Sequence, residues 1–274
     1  MEAQAVATQA DSALPTQNRI TALFGRKHEG LLNVYFTAGF PNLDDTLTVL
    51  EGLEQAGADL VEIGMPYSDP VADGETIQQS NLQALNNGMT LRLLFEQLAN
   101  CRSRVSVPIL LMGYINPVLQ FGVEEFCRQC QAVGVDGVIL PDLPLDLYLD
   151  EYAPIFRQYG ILNIFLITPQ TSTERIRLID EQSAGFIYMV SSASITGSVS
   201  GVSDEMLAYF DRINAMNLTN PRLIGFGIKD NETFRMASQY ANGAIIGSAF
   251  IRLLQEKGTD QTQIKAFVEA VKGK

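Results

Sequence analysis

Eight short and nearly uninterrupted runs of Val, Ile, Leu and aromatic residues recur along the chain, separated by amphipathic stretches of helical length. They are Leu32 to Phe36, Leu60 to Ile63, Pro108 to Met112, Gly137 to Leu140, Asn163 to Ile167, Phe186 to Val190, Leu223 to Phe226 and Gly243 to Ile246. Continuous rather than alternating apolar character predicts strands buried on both faces, as in a parallel sheet covered by helices. Segments 44–55, 91–100, 123–132, 147–158, 173–182, 204–216 and 231–240 carry the helical spacing. Gly57, Gly134, Gly160, Gly185 and Gly243 precede strands, where a left-handed cap ends a helix. Eight such units without a linker predict an α/β fold, a single (β/α)8 TIM barrel over residues 18–274.

The 274 residues fit one barrel of this kind. Residues 1–17 contain no Lys or Arg and no apolar core, so they read as a disordered tail rather than a secretory or transit segment. No run approaches 18 apolar residues, and a soluble protein is expected.

Composition narrows the chemistry. The chain has one His, three Cys, and 31 Asp+Glu against 19 Lys+Arg, for a net charge of −12. A lone His28 cannot serve both a Ser-His-Asp triad and a histidine metal cluster, and three Cys fall short of a four-thiolate zinc site, so no metal is expected. Acid–base work therefore falls to carboxylates. The negative surplus speaks against nucleic acid or an anionic membrane as a partner. Cys127 and Cys130 form a C-x-x-C, but within a stretch of helical spacing, which reads as packing in a reducing cytoplasm rather than a redox motif.

Two strand-to-strand intervals are long. Leu60 and Pro108, the starts of the second and third runs, lie 48 residues apart, and Phe186 and Leu223 lie 37 apart. Extended loops after strands 2 and 6 are expected, on the face that carries catalysis in barrels. Glu62 sits inside an apolar strand, where burial raises a carboxyl pKa toward neutrality; a solvent-facing place is the alternative. Asp69 and Asp73 lie in a turn with Pro70 and Gly74, and serve either as turn formers or as a second carboxylate at the same mouth. Gly227 follows strand 7, and Gly247 with Ser248 closes strand 8 and opens a helix, the places where barrels hold phosphate by backbone N–H groups. The stretch from Ser191 to Gly201 is small and polar and reads as a mobile lid. Lys229 reads as surface charge.

The segment Glu62-Ile63-Gly64-Met65-Pro66-Tyr67-Ser68-Asp69-Pro70-Val71-Ala72-Asp73-Gly74 resembles the signature of the tryptophan synthase alpha chain family. So do, in the family's order, Tyr35 to Pro41, Met112 to Pro117, Leu140 to Pro144, Ser194 to Gly197, Gly225 to Ile228 and Gly247 to Ala249. The resemblance spans about residues 18 to 272, and seven ordered motifs carry a specificity that none has alone.

This resemblance implies a lyase that splits indole-3-glycerol phosphate into indole and glyceraldehyde 3-phosphate, in the last step of L-tryptophan biosynthesis. It implies Glu62 as the acid/base at indole C3 and the glycerol hydroxyl, and Asp73 as the carboxylate paired with the indole N–H. Tyr35, Tyr114, Tyr188 and Phe226 match aromatic residues near the substrate, and Thr196 matches a residue that closes onto Asp73. Gly197, Gly227, Gly247 and Ser248 match the phosphate cradle. No cofactor is implied in this chain; pyridoxal phosphate (PLP) belongs to a beta subunit that receives indole in an alpha2beta2 heterotetramer, with Asp69, Asn116 and Pro144 on the partner-facing side.

Glu75, Phe186 and Ser192 depart from the family's usual proline, tyrosine and arginine. Two other readings are a non-catalytic allosteric barrel subunit and a phosphosugar isomerase on the same barrel. Retention of Glu62 and Asp73 disfavours the first, and the segment from Pro66 to Asp73 with Thr196 is unexplained by the second.

Overall fold

The computed structural model describes residues 18–191, 203–225 and 227–274. Each of the eight apolar runs forms strand: β1 (Leu31–Thr37), β2 (Leu60–Gly64), β3 (Ile109–Met112), β4 (Gly137–Ile139), β5 (Leu162–Ile164), β6 (Leu166–Ile167), β7 (Ile187–Val190), β8 (Arg222–Gly225) and β9 (Gly243–Ile246). All pairings are parallel, in the order β5-β4-β3-β2-β1-β9-β8-β7-β6. The fifth run supplies both ends of that order. Its first half pairs with β4 and its second with β7, with Phe165 between them, so the ring of eight closes through this one run.

Closure explains the composition of the strands. Every residue of β1 and of β2 is buried, because one side faces the barrel interior and the other faces helices. Helix Val123–Val133 covers the outside with Phe126, Cys127, Cys130 and Val133. Both thiols of the C-x-x-C are thus packing groups; burial pushes Cys127 up to about 12 and Cys130 well above the ordinary thiol range, which leaves no thiolate for redox work.

Gly57 and Gly134 end their helices in the left-handed conformation, with φ of 87° and 81°. Gly243 does not. It lies within β9, where a Cβ would overlap the Leu31 carbonyl oxygen, so glycine there allows β1 and β9 to approach. The long interval after β2 is also different from the expected loop: the irregular part ends at Gly74, and helices Glu75–Asn86 and Leu91–Leu98 fill the rest. The first of these buries Ser80, Asn81 and Ala84 rather than large apolar residues, so it lacks the apolar stripe that marks a helix in sequence. Glu75, the departure from proline, is the acid of its first turn, where the helix dipole favours a negative charge. Phe186 is fully buried against Phe24, with ring centroids 5.8 Å apart. Ser192 and most of the segment after β7 lie outside the described residues, as does the 1–17 tail.

The strand N-terminal side is tied by two acids, the buried Asp136 and the half-buried Asp59. Asp136 accepts from Arg19 and Arg102 at 2.9 and 2.7 Å and from the Ile109 N–H. Asp59 accepts from Lys27, Lys272 and the Leu32 N–H, joining both ends of the described chain to β1. Burial alone raises the Asp59 carboxyl, but these partners hold it below the usual carboxylate range. No helix among the described residues is long and apolar enough to cross a membrane.

Candidate active site

A cavity of about 250 Å³ opens at the strand C-terminal ends, and the strand residues that line it each come from a different strand. Side chains alternate along a strand, so Asn33 and Tyr35 of β1 share a face, and register sets Tyr35 beside Glu62 of β2 and Glu62 beside Leu110 of β3. Tyr35, Glu62, Met112, Tyr188 and Ile245 thereby reach one interior space.

The two tyrosines fit because their neighbours have no side chain. A Cβ on Gly64 would overlap the Tyr35 hydroxyl, and one on Gly225 would overlap the Tyr188 hydroxyl. Both glycines stand two residues beyond the tyrosine's register partner, Glu62 for Tyr35 and Leu223 for Tyr188. The same device is used on opposite sides of the barrel. Tyr35 also lies 3.3 Å from the Thr37 hydroxyl, which is 2.7 Å from the Ser80 hydroxyl on helix Glu75–Asn86.

Glu62 is 1 % exposed. Its Oε2 accepts from Asn33 Nδ2 at 2.8 Å. Burial raises its pKa from 4.5 to about 8, the Asn33 bond opposes that rise, and the nearby Asp73 charge adds to it. A carboxyl poised there can both give and take a proton near neutrality.

Asp73 is on the loop after β2 and lines the same cavity. Tyr114, at the end of β3, donates to Asp73 Oδ2 at 3.2 Å and accepts the Ala72 N–H at 2.9 Å, so one phenol fixes the loop at two points. Burial raises the Asp73 carboxyl, and the Tyr114 bond counteracts this. Tyr114 acts on the loop rather than lining the cavity itself, whereas Tyr35 and Tyr188 line it directly.

Gly227, Gly247 and Ser248 line the same cavity. Gly247 precedes helix Ser248–Lys257 and offers no side-chain cap, so the first N–H groups of that helix are free to bind an anion. Lys229 and Arg252 also line this space. Lys229 is exposed, in keeping with its reading as surface charge, and it also borders the cavity. Neither cation carries a sequence signal, because Lys229 sits in the loop after β8 and Arg252 in the middle of a helix. Asn33 was likewise hidden in an apolar run. The cavity thus combines aromatic and apolar side chains and two carboxylates with amide donors and two cations. Thr196, Gly197 and Phe226 lie outside the described residues. No cluster of ligands able to hold a metal occurs among the described residues.

Asp69, Asn116 and Pro144 are exposed and follow β2, β3 and β4 in turn. Asn116 Nδ2 donates to the Tyr67 hydroxyl at 3.4 Å, and Asp142 accepts the Ile115 N–H at 3.0 Å, linking the three loops into one rim. Val71 on this rim is 85 % exposed.

The profile of the tryptophan synthase alpha chain family matches residues 22–274. The tryptophan synthase alpha chain of Christiangramia forsetii is 56% identical over 255 residues, covering 93% of this chain and 98% of that one. That of Flavobacterium johnsoniae is 57% identical over 246 residues, covering 90% and 97%. In the tryptophan synthase complex from Pyrococcus furiosus, a chain 36% identical superposes with a TM-score of 0.81, covering 90% of this chain and 100% of that one. Fold, cavity chemistry and likeness over nearly the full length agree, and the chain belongs to the tryptophan synthase alpha chain family.

Proposed function

We infer that this cavity cleaves indole-3-glycerol phosphate to indole and glyceraldehyde 3-phosphate, with Glu62 as acid/base and Asp73 as its electrostatic partner. The observation that carries the assignment is the buried Glu62, raised to about 8, in the same cavity as the half-buried Asp73. Retro-aldol cleavage needs a proton at indole C3, because only the resulting indoleninium can accept the electron pair of the breaking C–C bond. Protonated Glu62 gives that proton. The carboxylate so formed takes the proton from the hydroxyl on the adjoining glycerol carbon as it becomes an aldehyde, and Glu62 ends as it began. Ionised Asp73 pairs with the indole N–H while positive charge develops there.

Tyr35 and Tyr188 form the apolar end for the indole ring, Phe226 is assigned to it by its match to the family motif alone, and Tyr114 holds Asp73 in place. Gly197, Gly227, Gly247 and Ser248 cradle the phosphate through N–H groups and a hydroxyl. Lys229 and Arg252 add positive charge at that end, so an acidic chain binds an anion without contradiction. Thr196, which lies outside the described residues, is assigned a role at Asp73 by its match to the family motif alone.

The partner is a PLP-containing beta subunit, in an alpha2beta2 assembly located in the cytoplasm; this chain itself uses no cofactor. The rim carrying Asp69, Asn116 and Pro144, with exposed Val71, faces that subunit. Incubating the isolated chain with indole-3-glycerol phosphate, with and without the beta subunit, and assaying for indole and glyceraldehyde 3-phosphate tests the function. Both products in equal amounts support it, and intact substrate in both arms contradicts it.

A further inference from the structure

Asn33 is a fully buried amide in the middle of an apolar strand. Its register partners are Leu60 on β2 and Ile245 on β9, so packing at this level of the barrel calls for a hydrocarbon side chain. Burying an amide here has a cost that packing does not repay, and its Oδ1 accepts no hydrogen bond among the described residues. What the amide does make is one short bond, Nδ2 to Glu62 Oε2 at 2.8 Å. The fold gains little from asparagine at this position; Glu62 gains an anchor.

We propose that Asn33 is the positioning residue of the acid/base, its amide fixing Oε2 of Glu62 so that Oε1 meets the substrate, and steadying the carboxylate between the two proton transfers. The proposal rests on the reading of Glu62 as acid/base. In the first transfer Glu62 Oε1–H gives its proton to indole C3; in the second the same oxygen takes the proton of the glycerol hydroxyl. Between them Glu62 is an anion in a buried space, and the Asn33 N–H is the donor bonded to it. A charge-assisted bond of this kind is stronger than a neutral one, so it favours the anion over the acid. Asp73 faces Glu62 with like charge, and Tyr35 and Tyr188 face it as neutral phenols, since burial keeps both well above their ordinary pKa. Asn33 is thus the neighbour that opposes burial and Asp73.

Asn33→Leu removes the donor and leaves a side chain matched to its apolar neighbours; Asn33→Gln retains an amide. With the beta subunit present, kcat for indole release is measured against pH for both variants and the parent. For Asn33→Leu the expected result is a 10- to 100-fold fall in kcat at neutral pH with KM within about threefold. The alkaline loss of activity, which reports deprotonation of Glu62, moves up by about one pH unit or more. Asn33→Gln recovers part of both. Thermal unfolding checks that the fold is retained, and Asn33→Val is read in the same way if Asn33→Leu does not fold. An unchanged profile, or a pH-independent loss with KM rising in parallel, overturns the proposal. Glu62→Gln separates the two levels: if it keeps turnover, the acid/base reading fails, whereas an inactive Glu62→Gln beside a parental profile for Asn33→Leu defeats the positioning role alone.

Discussion

Tyr114 and Asp73 are joined by a 3.2 Å hydrogen bond in which the phenol donates to a carboxylate oxygen, and the same phenol accepts the Ala72 N–H. A residue at the end of β3 thereby sets the position of an acid on the loop after β2. Tyr114→Phe removes both ties. Because the bond favours ionised Asp73, its loss raises the Asp73 pKa further, so activity falling on acidification is lost at higher pH than in the parent. The expected loss of kcat at neutral pH is about 3- to 30-fold, from one hydrogen bond to a charged group. Profiles of kcat against pH check it; identical acid limbs contradict it.

Asp73→Asn keeps the shape of the side chain and removes its charge. If that charge matters only as the indole ring becomes cationic, kcat falls by roughly 10²-fold or more while KM changes little. Steady-state kinetics with indole-3-glycerol phosphate decide the matter. A large rise in KM at constant kcat would place Asp73 in ground-state binding instead.

The strained electrostatics of Glu62 have a stability consequence. Its carboxyl titrates near 4.5 when unfolded and at about 8 when folded, so the folded state binds the proton more tightly. The contribution of this group to stability is therefore undiminished below pH 4.5, declines as pH rises through the window between the two values, and levels off above about 8. Glu62→Gln lifts this penalty. Relative to the parent it gains about 5 kcal/mol at pH 9 and nothing attributable to this group near pH 4. Urea unfolding of both proteins at the two pH values measures the difference.

Asp136 at the opposite end of the barrel is expected to matter for folding alone. It is 3 % exposed, joins Arg19 to Arg102, and accepts the Ile109 N–H. Asp136→Ala leaves the half-buried Arg102 unpaired and the amide without its acceptor, which costs about 3 kcal/mol or more. Denaturant midpoints report it, and KM of the folded fraction stays at the parental value.

The sequence carried the barrel better than the helices around it. Eight uninterrupted apolar runs marked all nine strands, the fifth run supplying two, because burial on both faces leaves no room for alternation. Helix Glu75–Asn86 escaped detection since Ser80 and Asn81 are its buried face, and helix Ile115–Phe121 because Pro117 in its first turn reads as a loop. Among site residues, Glu62 stood out as a charge in an apolar strand, and the glycines after β8 and β9 as close-approach positions. Asn33, Lys229 and Arg252 gave no such signal: each depends on which strand or helix lies beside it, and register across the barrel is not written in local pattern.

The central claim is that Glu62 carries both proton transfers. The measurement that tests it most directly is indole release from indole-3-glycerol phosphate by Glu62→Gln with the beta subunit present, beside the parent protein and with retained folding verified. The account predicts no indole above the uncatalysed rate, since glutamine neither gives nor takes a proton. Substantial turnover by Glu62→Gln would contradict it.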